Sequence, residues 1–142
     1  MNLLIINGVN LNMLGKREKE YYGEFSYEDL LAYYKSLEDE YGVRVHSYQS
    51  NIEGELVNAI QQADTYDGLI INPGGYTHTS IAILDALLSL EIPKVEVHLS
   101  NIHRREDFRA HSVTARACEG VIAGFGKSGY GLAVKYLIER NS

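Results

Sequence analysis

The sequence predicts an α/β protein that is built on a parallel sheet with helices on both faces. Short β-branched runs alternate along the whole chain with longer segments of helical periodicity, which is the pattern of consecutive β-α-β units. Hydrophobic residues make up 45% of the 142 residues and charged residues 23%, as in ordinary globular domains. Because no linker or repeat interrupts the chain and its length suits one core, we expect a single domain over residues 1–142.

Five short runs are predicted as strands of one sheet. The third run, Gly68–Asn72, is mostly apolar, which indicates burial on both faces of the sheet. Because five strands linked by helices in a chain of this length favour a doubly wound sheet, we expect the flavodoxin-like order 2-1-3-4-5. The predicted strands cover residues 3–7, 43–48, 68–72, 94–98 and 120–123.

Longer segments between the strands are predicted as helices. The clearest follows Ser26, an N-cap residue type with Asp29 three positions on, and stops at Gly42, which is typical of a helix C-terminus. Apolar residues at helical spacing predict three more helices and a short polar turn. The three helices cover residues 52–63, 79–90 and 130–140, and the turn covers residues 105–111.

The connection after the first strand is unusually long. Ligands of doubly wound sheets bind beyond the carboxyl ends of the strands, and this connection leaves from that edge. It is far longer than most connections between a strand and a helix, and loops of such length are commonly functional. It contains Arg17 and Tyr22 between Gly15 and Gly23, so we expect residues 13–23 to form a lid over an active site.

The segment after the third strand has the features of an anion-binding turn. Gly74 and Gly75 allow the backbone to approach a ligand closely. The backbone N–H groups at the start of the following helix favour an anion such as a carboxylate. His78 lies at or near that helix start, where it is either a surface residue or a ligand-binding one.

The fourth strand ends in a carboxylate and an imidazole that share one face. Glu96 and His98 are two residues apart, so their side chains project to the same side of the sheet. A carboxylate beside an imidazole fixes its tautomer and favours its protonated form, which suits a general acid. Together with His103 they could ligate a metal, but no helical histidine pair or cysteine cluster accompanies them, so we expect no metal site.

Three other classes of α/β protein fit the sequence less well. Residues 124–129 match the G-x-G-x-x-G fingerprint of dinucleotide binding, but they open the last helix and no further strand follows. A flavodoxin-like module that binds FMN or another small molecule stays as the alternative, although the first loop lacks a phosphate cradle rich in Ser and Thr. A receiver-type signalling domain would need acidic residues where Asn7, Asn10 and Asn72 stand.

Charge and cysteine content exclude several partners and compartments. Lys and Arg total 13 against 19 Asp and Glu, and the formal net charge of −6 argues against a nucleic-acid partner. The single cysteine, Cys118, leaves no intramolecular disulfide framework, and no apolar run is long enough to span a membrane. The first residues lack the basic region of a signal peptide, so we expect a cytoplasmic protein.

Three separated blocks of the chain resemble type II 3-dehydroquinate dehydratases, the small dehydroquinases of the shikimate pathway of aromatic amino acid biosynthesis. The first block covers residues 6–18 together with Tyr22 and Gly23. The second covers residues 72–80 and the third residues 96–101, and the resemblance extends over essentially the whole chain. Each block lies at the carboxyl end of a predicted strand, which is where the ligand site is expected.

The resemblance implies an elimination reaction with named catalytic residues. The family converts 3-dehydroquinate to 3-dehydroshikimate by anti elimination of water through an enolate, without a metal, a cofactor or a Schiff base. It implies Tyr22 as the base that takes the C2 proton, and a free phenol ionises only at about pH 10, so Arg17 is expected to stabilise the phenolate. It further implies Asn10 at the enolate oxygen and His98 as the proton donor, oriented by Glu96.

The resemblance also implies a substrate-binding set and an oligomer. Asp85 matches a residue that the family reaches across a subunit boundary, in trimers that assemble into a homododecamer. Arg105 falls on a family arginine near the site, and we expect a supporting role for it. The residues that match substrate-binding positions are Asn72, His78, Asp85, Leu99, Ser100 and Arg109.

Two positions depart from the family pattern. Val9 stands where the family usually has the proline of an Asn-Gly-Pro-Asn turn, and Lys19 replaces a proline that usually follows Arg-Glu. Neither is an expected catalytic residue. Both changes remove a restraint on the backbone angle φ, so we expect a looser lid.

Overall fold

All five predicted strands are present in the computed structural model, which describes residues 1–142. All of the strand pairs are parallel. Their order in the sheet, β2-β1-β3-β4-β5, confirms the predicted order 2-1-3-4-5. The strands are β1 (Asn2–Asn7), β2 (Arg44–Gln49), β3 (Gly68–Asn72), β4 (Lys94–His98) and β5 (Gly120–Ala123).

Five α-helices connect or follow the strands. They are α1 (Lys19–Tyr22), α2 (Tyr27–Tyr41), α3 (Glu53–Gln61), α4 (Ile81–Ser89) and α5 (Ser128–Arg140). The predicted ends of α2 are confirmed: Ser26 Oγ accepts from the Asp29 N–H at 3.0 Å, and Gly42 ends the helix with a φ of 67°. None of these helices has the length and apolar character that crossing a membrane requires.

Three predicted helical segments are shorter than expected, and the one predicted over residues 52–63 forms α3 only at Glu53–Gln61. The segment predicted over residues 79–90 begins only at Ile81, because Gly74–His78 forms a separate 3₁₀ helix. Ser80 then caps α4, its Oγ accepting from the Ile83 N–H at 2.9 Å. The polar turn predicted over residues 105–111 is reduced to the 3₁₀ helix Asp107–Arg109.

Each face of the sheet carries its own apolar core. Helices α2 and α5 pack against one face, and α3 and α4 pack against the other. Alternate residues of β1 serve the two cores, since Leu3 and Ile5 point to the first and Leu4 and Ile6 to the second. This arrangement places the central strands β1, β3 and β4 between two covered faces, which holds their carboxyl ends rigidly in place.

A buried polar network connects the carboxyl ends of β1 and β3. Tyr130 donates its hydroxyl proton to Asn7 Oδ1 at 2.6 Å and accepts from Asn72 Nδ2 at 3.1 Å. Asn7 Nδ2 in turn donates to the Tyr34 hydroxyl at 3.0 Å. Burial raises the pKa of Tyr34 and of Tyr130 well above that of a free phenol, so both act as neutral hydrogen-bonding groups. The network fixes the strand ends on which the pocket is built.

Candidate active site

A polar pocket opens at the carboxyl ends of β1, β3 and β4, where the sequence places the site. Its wall consists of the loop after β1, the 3₁₀ helix after β3 and the segment after β4. Every predicted site residue except Glu96 and Asp85 contributes to the wall. The predicted residues that line the pocket are Asn10, Arg17, Tyr22, Asn72, His78, His98, Leu99, Ser100 and Arg109, and Arg105 joins them.

Tyr22 lies between two arginines. Its hydroxyl oxygen accepts from Arg17 Nη2 at 2.8 Å and from Arg105 Nη1 at 2.6 Å. The Arg17 guanidinium also covers the Tyr22 ring, with Cζ 3.8 Å from the ring centroid. Two guanidinium groups that donate to one oxygen stabilise negative charge on it. Tyr22 is 8% exposed, whereas Tyr21 beside it is 36% exposed.

Arg105 contacts Tyr22 directly, which the sequence did not indicate. The two residues are 83 positions apart. From the sequence, Arg105 is expected near the site in a supporting role, but only Arg17, five positions before Tyr22, is expected to stabilise the Tyr22 phenolate. The Arg105 side chain is 8% exposed, and its Nη1 also lies 3.5 Å from Ser100 Oγ. Its Nε is buried and has no hydrogen-bond partner within the chain.

His98 and Glu96 form a buried pair at the end of β4. His98 Nε2 lies 2.7 Å from Glu96 Oε2, so the two side chains share one face of the strand as predicted. A carboxylate can only accept here, which assigns the hydrogen to Nε2 and leaves Nδ1 as the ring nitrogen without a partner in the protein. Glu96 is fully buried behind His98, which explains its absence from the pocket wall.

The Glu96 carboxylate is surrounded by hydroxyl groups. Thr77, Ser112 and Thr114 each place a side-chain oxygen within hydrogen-bond distance of it. Burial alone would raise the pKa of the Glu96 carboxyl, but the hydrogen bond and charge of His98 and the hydroxyls of Thr114 and Ser112 lower that pKa below its usual value. The carboxylate is therefore anionic despite its burial. Sequence reasoning missed these hydroxyl residues, since no periodic pattern connects them to Glu96.

Asn10 is the one residue other than glycine with a left-handed backbone, at φ 69° and ψ 0°. Asparagine tolerates this conformation better than most residues. The Asn10 N–H donates to Asn51 Oδ1 at 2.9 Å, and Gln49 Nε2 donates to the same oxygen at 3.1 Å. The loop after β2 thus holds the backbone that carries Asn10 into the pocket.

The predicted binding residues have donors and acceptors left for a ligand. Asn72 Oδ1 accepts from the Gly74 N–H at 3.1 Å and Nδ2 donates to Tyr130, which leaves one amide hydrogen free. His78 Nδ1 donates to the His111 carbonyl at 2.8 Å, which leaves its Nε2 for a ligand. Arg109 Nε donates to Glu106 Oε2 at 3.2 Å and keeps both Nη groups.

Asp85 lies outside the pocket of its own chain. It is exposed on α4 and does not contribute to the pocket wall. Its role across a subunit boundary stays a prediction. No three His, Cys, Asp or Glu side chains converge in a way that could hold a metal ion.

The doubly wound sheet and the pocket at its carboxyl edge define an α/β protein whose pocket, beside a tyrosine and a histidine, suits a small acidic molecule. Positive charge from Arg17, Arg105 and Arg109 concentrates there, in a chain whose formal net charge is −6. The chain belongs to the class II dehydroquinase family, whose model matches residues 1–138.

Proteins of this family are similar to the chain in sequence and in structure. The 3-dehydroquinate dehydratase of Fusobacterium nucleatum is 57% identical over 143 residues, which cover 98% of this chain and 97% of the relative. That of Thermotoga maritima is 53% identical over 137 residues, covering 96% and 94%. The crystal structure of type II dehydroquinase from Butyrivibrio crossotus superposes with a TM-score of 0.95, at 48% identity and 97% coverage of each chain.

Proposed function

We propose that the chain is a lyase that dehydrates 3-dehydroquinate to 3-dehydroshikimate in the shikimate pathway, by anti elimination through an enolate. Membership of the class II dehydroquinase family supports the reaction. The observation that carries the proposal is the Tyr22 oxygen held between Arg17 and Arg105, in the same pocket as the pair of His98 and Glu96. An elimination of water requires one group that removes a proton and another that protonates the leaving hydroxyl, and Tyr22 on α1 and His98 on β4 are placed to supply them.

The first step uses Tyr22 as the base. The phenolate removes the C2 proton of the substrate, and the electron pair of that C–H bond moves towards the carbonyl to give an enolate. Arg17 and Arg105 stabilise the phenolate before the transfer, because both donate to its oxygen. Asn10, presented by its left-handed backbone, supplies a donor for the enolate oxygen, directly or through a water molecule.

The second step uses His98 as the acid. The enolate electrons form the new double bond while the C–O bond breaks, and the leaving hydroxyl takes a proton from His98 to depart as water. Glu96 accepts from His98 Nε2 and so orients the ring and favours the imidazolium. General acid–base groups of this kind each contribute about 10²- to 10⁴-fold to a rate.

The cationic wall of the pocket fits the carboxylate of the substrate. Arg109 has both Nη groups available for a two-pronged contact, and Asn72, His78, Leu99 and Ser100 supply further contacts to carboxylate and hydroxyl groups. Residues 13–23 serve as the lid of this single catalytic domain, because this segment carries Arg17 and Tyr22 into the pocket wall. Neither a cofactor nor a metal enters the reaction.

We infer that a neighbouring copy completes the site, in a homododecamer that is built as a tetramer of trimers, as expected for the family. Two observations support this: the buried Arg105 Nε has no partner within the chain, and Asp85 is an exposed carboxylate on α4. A carboxylate from a second copy would supply the acceptor that Arg105 Nε lacks, and would thereby hold Arg105 against Tyr22. A cytoplasmic location agrees with the single cysteine, and the net charge of −6 disfavours nucleic acid.

The reaction is tested by ultraviolet absorbance, because 3-dehydroshikimate is a conjugated enone and 3-dehydroquinate is not. The purified protein should raise the absorbance of a 3-dehydroquinate solution, and a metal chelator should leave the rate unchanged. Borohydride added with substrate should trap no adduct, since no lysine takes part. A protein that shows no turnover and is yellow when purified would instead support the alternative, a flavodoxin-like module that binds FMN.

A further inference from the structure

Three hydroxyl groups surround the carboxylate that holds the proposed proton donor. We call Thr77, Ser112 and Thr114 the hydroxyl cluster. Ser112 Oγ lies 2.8 Å from Glu96 Oε2, Thr114 Oγ1 contacts Oε1, and Thr77 Oγ1 lies 3.2 Å from Oε2. Glu96, Thr77 and Thr114 are completely buried, so no bulk water competes for these contacts. The cluster comes from two segments, the 3₁₀ helix after β3 and the chain that precedes β5.

The hydrogens of the cluster can be assigned by counting donors. Each hydroxyl has one hydrogen, and an anionic carboxylate has none. Ser112 and Thr114 use theirs on Glu96, so towards Thr77 they can only accept. Thr77 lies 2.6 Å from Ser112 Oγ and 2.7 Å from Thr114 Oγ1, and it donates to one of them or to Glu96. Ser112 and Thr114 therefore both direct their hydrogens at the carboxylate, one to each oxygen.

We propose that the hydroxyl cluster is a set of positioning residues for proton transfer, which fixes the Glu96 carboxylate so that His98 reacts through Nδ1. The inference rests on the proposed function and deepens it. With Ser112 on Oε2 and Thr114 on Oε1, the carboxylate cannot rotate, and Oε2 faces His98 Nε2 at 2.7 Å. The ring is thereby held in one orientation, with Nδ1 as its one nitrogen free for substrate.

The proton balance of the step follows from this geometry. The imidazolium gives its Nδ1 hydrogen to the leaving oxygen, which takes the electron pair of the breaking C–O bond and departs as water. His98 is then neutral, with its remaining hydrogen on Nε2 and donated to Glu96. Glu96 keeps its charge throughout, so it stabilises the imidazolium before the transfer without taking the proton itself.

The segment that carries the cluster also holds a substrate-binding residue. The Val113 N–H donates to the Thr77 carbonyl at 2.7 Å, and the His111 carbonyl accepts from His78 Nδ1 at 2.8 Å. One short stretch of chain thus orients His78 through its backbone and Glu96 through its side chains. The same segment therefore fixes the position of His78, which we propose binds substrate, and of Glu96, which orients the proposed proton donor His98.

The test removes one hydroxyl group of the cluster while keeping the shape of the side chain. Thr114→Val should lower kcat by about 10- to 100-fold, because a hydrogen bond to a charged group contributes on that scale, while KM stays unchanged. Thr114→Ser keeps the hydroxyl and should restore most of kcat. Thr65→Val, an exposed threonine far from the pocket, is the matched control and should behave as the wild type. Ser112→Ala is a second variant that should reproduce the loss.

Nuclear magnetic resonance of protein with ¹⁵N-labelled histidine gives a readout independent of turnover. At a pH where His98 is neutral, its Nε2 should carry the hydrogen in the wild type, and Thr114→Val should mix the two tautomers. A hydrogen on Nδ1 in the wild type would overturn the proposal. So would wild-type kcat in both Thr114→Val and Ser112→Ala, or a loss that Thr114→Ser does not rescue. A wild type without dehydratase activity would instead contradict the proposed function.

Discussion

Tyr22 and His98 line the same pocket, but the molecule holds them in different ways. His98 ends a central strand that is covered on both faces, and hydroxyl groups from two other segments surround the carboxylate of its partner Glu96. Tyr22 ends the four-residue helix α1, which lies outside the sheet, and its hydroxyl contacts only the side chains of Arg17 and Arg105. The fold fixes the proposed acid, His98, whereas long arginine side chains fix the proposed base, Tyr22.

This difference indicates how the two proposed steps are supported. The buried hydrogen bonds around Glu96 give His98 one orientation before substrate arrives, although burying the Glu96 carboxylate costs its solvation by water. The tyrosine sits on a segment that must admit the substrate, so the groups that stabilise its charge have to be long enough to reach it from elsewhere. We expect changes in the backbone of the segment that carries Tyr22 to alter substrate affinity, and side-chain substitutions around His98 to alter kcat alone.

The largest effect is expected from the base itself. Tyr22→Phe removes the oxygen that we propose takes the C2 proton, and it should lower kcat by about 10³- to 10⁴-fold, within the range of general base catalysis. The fold and the binding of substrate should persist, because the ring still packs in the core and under Arg17. Turnover is measured by enone absorbance and binding by calorimetry. Tyr21→Phe is the matched control, and equal losses in the two variants would contradict the assignment.

On the acid side, Glu96→Gln should lower kcat by about 10²-fold or more, because a neutral amide neither fixes the His98 tautomer nor stabilises the imidazolium. The amide N–H₂ would also face groups that now donate to the carboxylate, so part of the cluster has to turn away. KM should change little. A Gln variant with wild-type kcat would remove Glu96 from the mechanism.

The same pair gives a pH dependence of stability with a defined sign. Burial raises the pKa of Glu96, but the hydrogen bond and charge of His98 and the hydroxyls of Thr114 and Ser112 outweigh it and hold that pKa below its usual value, so folding favours the carboxylate. This contribution is present above the pKa of an unfolded glutamate, about 4.3, and is lost as the pH falls through the lower folded value. The stability advantage of wild type over Glu96→Gln should therefore shrink below about pH 4.3. Urea unfolding between pH 7 and pH 3.5 measures it, and a constant difference would contradict it.

Substitution of the two arginines tests whether both stabilise negative charge on the Tyr22 oxygen. Arg17→Ala and Arg105→Ala should each lower kcat by about 10- to 100-fold, the scale of one hydrogen bond to a charged group. Because both donate to the Tyr22 oxygen, the losses should not add in the double variant. Arg104→Ala, an exposed arginine beside Arg105, is the control. Additive losses would show that the two act on different steps.

Much of this site could be predicted because parallel strands end at one edge. Given the strand order, residues that follow β1, β3 and β4 must meet, so Arg17, His78 and His98 could be placed in one pocket from their positions alone. The pairing of Glu96 with His98 likewise follows from their spacing in a strand. These are consequences of regular structure, which the sequence pattern encodes.

The remaining contacts depend on irregular segments and could not be predicted. Arg105 reaches Tyr22 only because the turns after β4 fold back across the pocket. Ser112 and Thr114 reach Glu96 because a 3₁₀ turn carries the chain under the site. Such turns leave no periodic signal, and their side-chain directions depend on packing with distant parts of the chain.

The smallest effect is expected at Lys19, where the family usually has proline. Lys19 is the first residue of α1, a position that proline suits, and Glu18 before it has φ −56° and ψ 105°, which a following proline accepts. Lys19→Pro should favour the ordered lid by about 0.4 to 1 kcal/mol and lower KM about two- to fivefold. Lys16→Pro is the control, because the Lys16 N–H donates to the Met13 carbonyl at 3.0 Å and its loss should raise KM. A raised KM in Lys19→Pro would contradict this prediction. It would show that the segment carrying Tyr22 needs its backbone mobility to admit the substrate, in contrast to the fixed His98.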